Sequence, residues 1–268
     1  MSSPLLVRSQ TPDADGRVLH VEQGGTLSQM GFEVFKLAPG QSLARQTGPN
    51  EVCLVPVIGT CQIHAGNQTF NDVGERTTVF EGIKPTAVYV PNDSNFEVTA
   101  VTELELAIGS AAGKGTYPVR LITPDDVDYA PRGKGTNLRH IYNILPDTAE
   151  ADSLLVVEVI TPGGHWSSYP PHKHDTDDYP NETFLEETYY HHLNPSQGFA
   201  FQRVYTDDRS LDETISVQDG DTVMVPAGYH PVGAPHGYDL YYLNVMAGPV
   251  RQWRFTNDPD HDWIMNKD

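Results

Sequence analysis

The chain has 268 residues, enough for one large domain or two of ordinary size. Its 36 acidic residues against 17 basic ones give a formal net charge of -19, which repels phosphate backbones and anionic membrane surfaces and argues against a nucleic-acid partner. Two cysteines, Cys53 and Cys61, suggest no disulfide framework. The first residues lack a signal-peptide core and no apolar run nears the roughly 18 residues of a membrane span, so the expectation is a soluble, cytoplasmic protein.

Strand-like segments dominate. In the first half they fall at 31–37, 51–58, 69–70, 86–90 and 96–101. In the second half they fall at 154–160, 188–193, 198–205, 221–225 and 238–246. Each is short, rich in β-branched or aromatic residues and bounded by Gly, Pro, Asn or Asp. Long helices are scarce, and 148–153 could hold a single helical turn.

A weak internal repeat runs through these segments. Thr86-Ala-Val-Tyr-Val-Pro91 resembles Asp221-Thr-Val-Met-Val-Pro226, and Leu37-Ala-Pro-Gly40 resembles Ile160-Thr-Pro-Gly163. Glu51-Val-Cys-Leu54 can be laid on Glu187-Thr-Tyr-Tyr190. The spacing is of domain length, so we expect two all-β units in tandem, 1–120 and 121–268, joined by a crossover at about 113–131. An insertion between His174 and Glu187 accounts for the unequal offsets. Residues 41–50 hold no histidine, and the place of His230 falls near Asn95. The first unit therefore keeps the framework without the ligands, and structural support is its expected role.

The chemistry concentrates in the second unit. His172 and His174 share one face of a strand by the period-two rule, while Lys173 faces away. Glu187 opens the next apolar segment. His230 follows the segment Gly220-Asp-Thr-Val-Met-Val-Pro-Ala-Gly-Tyr-His230. Three imidazoles and one carboxylate suit a divalent ion with one or two open positions. Glu182 and Glu186 compete with Glu187 for the carboxylate place. Asp260-His261-Asp262 reads instead as docking of the C-terminal segment, with Trp263 as its apolar anchor.

This pattern resembles the cupin superfamily, whose motifs have the forms G-x5-H-x-H followed by E, and G-x5-P-x-G-x2-H. The second motif is nearly intact and the first is stretched. More closely, the segments Trp166–Asp175, Glu187–His192, 198–207, 225–232 and 238–249 and the tail 257–264 are similar to the 5-deoxy-glucuronate isomerases of bacterial myo-inositol catabolism. The likeness covers essentially the whole chain and is strongest in 160–264. It implies a bicupin that interconverts 5-deoxy-D-glucuronate and 5-dehydro-2-deoxy-D-gluconate. The related 4-deoxy-threo-hexosulose-uronate ketol-isomerase uses zinc on a three-His, one-Glu set, so zinc is the first choice here, and manganese or iron would fit the same ligands.

For proton transfer the candidates are Glu187, His192 and Tyr229. Tyr190, which shares a face with His192, and His236, near the fourth ligand, could meet the substrate. Arg203 and Arg139 are the candidates for its carboxylate. Packing and ordinary ion pairs are the competing explanation for each. A homo-oligomer is compatible with exposed sheet edges. Two other functions remain open: an iron-dependent dioxygenase on the same ligands, and a non-catalytic sugar-acid-binding protein.

Overall fold

The computed structural model describes residues 3–266 and is almost entirely antiparallel β-structure. Each half pairs a large sheet with a small one. In the first half the large sheet has the order Arg120–Ile122, Ala87–Val90, Asn50–Ile58, Leu104–Ala112, Met30–Leu37, Arg17–Val21. Its small sheet runs Ser42–Gln46, Asn95–Ala100, Cys61–Ala65, Gln68–Val73. Alternate residues of both sheets, among them Phe35, Leu54, Leu106, Ile63 and Val98, meet in one packed core. No helical turn forms at 148–153. Arg251 draws the carbonyls of Pro146, Asp147 and Ala149 into a turn instead.

The second half repeats the plan. Its large sheet has the order Leu6–Val7, Thr222–Val225, Glu186–Asn194, Asp239–Ala247, Leu155–Thr161, His140–Leu145, Asp128–Tyr129. Its small sheet runs Trp166–Ser167, Val232–Gly233, Ala200–Tyr205, Asp212–Val217. The edges exchange: Leu6–Val7, at the start of the chain, pairs with Thr222–Val225 in the second sheet, and Arg120–Ile122 closes the first. Strands of two or three residues carry no periodic signal, which is why these edges were not foreseen.

The internal repeat is real in topology but slips by one residue at a decisive place. Val90 lies opposite Val52, and its counterpart Val225 lies opposite Glu187. The equivalent of Glu187 is therefore the buried Val52, not Glu51. A one-residue slip reverses the face. Glu51 points toward the other half, whose backbone N–H groups of Asp152, Ser153 and Leu154 donate to it, as does Tyr89 Oη of its own sheet.

The two large sheets pack back to back. Phe32, Val55 and Ala107 of one face Tyr190, Tyr241 and Leu243 of the other in a shared apolar layer. The approach is close enough that a Cβ on Gly109 would sit 2.7 Å from Val245 Cγ1. Polar groups in this layer are paired across it, as in Arg76–Glu158 at 2.7 Å. Among the described residues no helix is long and apolar enough to cross a membrane.

Candidate metal centre and active-site cavity

Three segments deliver the ligand set. His172–Lys173 pairs with Thr256–Asn257, which turns His172 inward and Lys173 outward. Lys173 lies among Asp175 at 2.5 Å, Glu182 at 3.4 Å and Asp207 at 3.6 Å. Glu182 also accepts from the N–H groups of Asp175 and Thr176, so it braces the loop and does not reach the imidazoles. Glu186 crosses to the first half, where Ser28 Oγ and Gln29 N–H donate to it. Glu187, one residue on, faces the interior. His230 follows a turn in which Gly228 has φ +90°, and a Cβ there would lie 2.4 Å from Tyr205 O, so glycine is required.

Ligand atoms of His172, His174 and His230 all lie within 4.8 Å of one another, and all three residues are buried. Glu187 Oε1 stands 2.9 Å from His230 Nε2 and 3.4 Å from His174 Nε2. His174 Nδ1–H donates to Leu185 O and His230 Nδ1–H donates to Gly228 O, both at 2.9 Å. These bonds fix the tautomer and leave each Nε2 with a bare lone pair. Asn244 Nδ2–H donates to Glu187 Oε2 at 2.8 Å, turning Oε1 toward the histidines.

His174 Nε2, His230 Nε2 and Glu187 Oε1 are consequently buried without a hydrogen-bond partner. Lone pairs facing one another in a dry pocket are costly unless a cation lies between them. The residues thus fit a divalent metal ion by ligand type and number. Burial, followed by its two neighbouring imidazoles, holds His172 well below the usual histidine range, in the neutral form that binds metals.

A cavity of about 390 Å³ opens beside the cluster. His172, Tyr189, Tyr242 and Asn244 form one part of its wall. Tyr169, Trp253 and Phe255 form an aromatic part, and Arg132, Lys134 and Arg139 bring positive charge. Tyr189 lies on the same face of its strand as Glu187, its hydroxyl 3.0 Å from Ser168 Oγ and its ring 5.8 Å from His230.

Of the residues singled out from sequence, Arg139 lines the cavity and several others do not. Tyr190 and His192 share a face, but it is the face opposite Glu187. His192 Nε2 contacts Glu105 at 2.6 Å and its Nδ1 contacts Asp219 at 3.0 Å, while Tyr190 Oη donates to Glu105. Both belong to the layer between the halves. Tyr229 packs on Tyr205 and donates to Asp207, pointing away from its neighbour His230. His236 sits exposed in a turn. Arg203 makes a two-point ion pair with Asp212 across a hairpin, outside the cavity. In the tail, Trp263 is exposed and Ile264 is the buried anchor.

Sequence reasoning missed Tyr189, Asn244, Arg132 and Lys134. Glu187 was chosen because it opens the apolar segment; alternation applied from it selects Tyr189, two residues on, and excludes Tyr190 and His192. No comparable signal marks Asn244, which meets Glu187 through the register of a neighbouring strand.

A model of the KduI/IolB family matches residues 5–264. The 5-deoxy-glucuronate isomerase of Geobacillus thermodenitrificans (strain NG80-2) is 54% identical over 264 residues, covering 98% of this chain and 96% of that one. The 5-deoxy-glucuronate isomerase of Bacillus subtilis (strain 168) is 48% identical over 270 residues, covering 99% and 100%. A crystal structure of an IolB-like protein from Salmonella typhimurium LT2 superposes with a TM-score of 0.94 at 50% identity, covering 98% of this chain and all of that one. The oxalate decarboxylase of Lactobacillus farciminis superposes at 0.68 with 12% identity, covering 99% and 91%, a likeness of fold alone that agrees with a bicupin. From its fifth residue to its 264th, the chain belongs to the KduI/IolB family.

Proposed function

We propose that the chain is a 5-deoxy-glucuronate isomerase that interconverts 5-deoxy-D-glucuronate and 5-dehydro-2-deoxy-D-gluconate. The observation that carries the reading is the near-complete 54% identity to an isomerase of that name, in a chain whose buried His-and-Glu cluster opens on a sugar-sized cavity. The reaction is an aldose–ketose exchange. C2 loses a proton, C1 gains one, and the hydroxyl proton of O2 passes to O1, with no net oxidation.

In this reading His172, His174, Glu187 and His230 hold one divalent ion, with zinc the first choice and manganese or iron compatible. When bound, such an ion supplies Lewis-acid stabilisation of negative charge on the C1 and C2 oxygens. Leu185 O, Gly228 O and Asn244 aim the ligand atoms. Tyr189 replaces His192 and Tyr229 as the candidate proton carrier, because its hydroxyl, paired with Ser168, stands on the Glu187 face. The aromatic wall excludes water. The first unit, 1–120, braces the second through the paired polar groups of the shared layer.

The test is incubation of the zinc- or manganese-loaded protein with 5-deoxy-glucuronate in D2O, followed by proton NMR. Conversion to the keto acid is expected, with deuterium at C1 reporting proton exchange through an enediolate. No conversion at full metal occupancy would overturn the reading and return the dioxygenase and binding alternatives.

A further inference from the structure

The inner face of the second large sheet changes character with distance from the metal cluster. Strand Glu186–Asn194 presents Glu187, Tyr189 and His191 on that face. The neighbouring strand Asp239–Ala247 sets Asn244 opposite Tyr189 and Tyr242 opposite His191. The next strand, Leu155–Thr161, sets Val157 opposite Asn244 and Val159 opposite Tyr242. Strand His140–Leu145 follows, with Ile141 opposite Val159. Each cross-strand row thus begins with side chains that carry polar atoms and ends in hydrocarbon.

The cavity follows these rows in one direction. Tyr189, Tyr242, Asn244, Val157, Val159 and Ile141 line it, and among the described residues none of strand Thr222–Val225, on the other side of Glu187, does. Asn244 Nδ2–H reaches Glu187 Oε2 at 2.8 Å, so the cluster stands over the first two strands of each row. A ligand held there by one end therefore extends over Val157 and Val159. The tail adds Phe255 to the same cavity, its ring 4.6 Å from that of His172. Polar groups bordering this stretch are already engaged. Asn244 Nδ2 also donates to Thr188 O, Tyr189 Oη is bonded to Ser168 Oγ, and Asn257 Nδ2 donates to Asp262 Oδ1. Trp253 Nε1–H is buried without a partner, but it is a donor only and leaves a hydroxyl's own proton unplaced.

Neighbouring strands lie about 4.8 Å apart. Three bonds of an extended chain advance roughly 3.6 Å. A carbon chain whose C1 and C2 oxygens lie at the cluster thus arrives over the valine strand near C5. We propose that Val157 and Val159, with Phe255 of the tail, form an apolar band that receives C5 of the sugar acid and selects acids with a methylene there over those with a hydroxyl. A hydroxyl pressed against these side chains gives up its water and gains no acceptor, which is worth about 10- to 100-fold in affinity. Which end of the acid lies at the metal rests on the isomerase reading; the band itself stands on the register of the sheet.

The experiment is calorimetric binding of two open-chain acids to the metal-loaded protein. They are 5-deoxy-glucuronate and glucuronate, each with C1 reduced to an alcohol, which prevents both turnover and closure of the sugar ring. The wild type is expected to bind the deoxy acid about 10- to 100-fold more tightly. Val157→Thr and Val159→Thr keep the shape of the side chain and add a hydroxyl to the band, and each is expected to narrow that ratio about 10-fold. Val217→Thr makes the same change in the same core, outside the cavity wall, and should leave the ratio where it is. Should the threonine variants fail to fold, Phe255→Ser, at a position 38% exposed, opens the band to water and should narrow the ratio in the same direction. A wild type that binds the two acids alike, or binds neither, overturns the band. So does a ratio unchanged in the band variants, or one lowered as much by Val217→Thr. Turnover of 5-deoxy-glucuronate is measured beside it. No turnover with the preference and its loss intact defeats the isomerase reading and leaves the band; turnover without a preference does the reverse.

Discussion

Replacing Glu158 by Met should destabilise the protein by about 3–5 kcal/mol, because it strands a buried guanidinium. Arg76 and Glu158 are 3% and 1% exposed, and Arg76 Nη1 donates to both carboxylate oxygens at 2.7 and 3.0 Å. Tyr241 Oη adds a third bond to Glu158 at 3.0 Å. The pair joins the loop after the first unit's small sheet to strand Leu155–Thr161 of the second. Its desolvation is only partly compensated, since Arg76 Nη2 is buried with no hydrogen-bond partner. Removing all the polar groups together should therefore be far milder than removing one. The triple variant Arg76→Met, Glu158→Met, Tyr241→Phe should lie within about 2 kcal/mol of wild type, in either direction. Calorimetric melting reads both. At about 2–4 °C per kcal/mol, the single variant should melt roughly 6–20 °C lower. A single variant within about 1 kcal/mol of wild type, or a triple variant as damaged as the single, would refute the reasoning.

Stability should also depend on pH through His192. Burial acts to lower its pKa, but Glu105 and Asp219 outweigh it and push it up to about 10, while Glu105 is held down to about 2. A raised histidine contributes fully below its unfolded value near 6.5 and loses that contribution as pH rises toward 10. The lowered Glu105 loses its own as pH falls from about 4.5 toward 2. Denaturant midpoints should thus be highest near pH 4.5–6.5 and decline on the alkaline side, and His192→Gln should flatten that alkaline decline; an unchanged slope in the variant would exclude His192 as its source. Asp175 Oδ2 accepts from Gly228 N–H at 2.9 Å and so ties the His174 segment to the turn that presents His230. Asp175→Asn should weaken metal binding about 10- to 100-fold by chelator competition while the fold persists, and affinity equal to wild type would show that the tie positions nothing.

What could be read from the sequence was what alternation and spacing control. His172 and His174 on one face, Lys173 on the other, and Glu187 and His230 arriving from remote segments all follow from period-two geometry and a turn that needs Gly228. The same rule, applied from Glu187, would have chosen Tyr189 and rejected Tyr190 and His192, whose bonds to Glu105 depend on the packing of two large sheets. The Glu51–Glu187 match failed because conserving a residue type along the chain does not conserve its face; Val52 is the true counterpart. Arg203 and Arg139 looked equivalent in sequence. Only the hairpin that brings Asp212 diagonally within reach of Arg203, and the bridge that sets Arg139 beside Arg132, tell them apart.

The most direct test of the central claim is to strip the protein with a chelator, return zinc in steps, and follow both bound metal and conversion of 5-deoxy-glucuronate by NMR. The account predicts that turnover rises in proportion to bound metal, saturates at one equivalent per chain, and stays absent in His172→Ala, which should bind zinc at least 10-fold more weakly. Full conversion by the stripped protein, or by His172→Ala without metal, would contradict it.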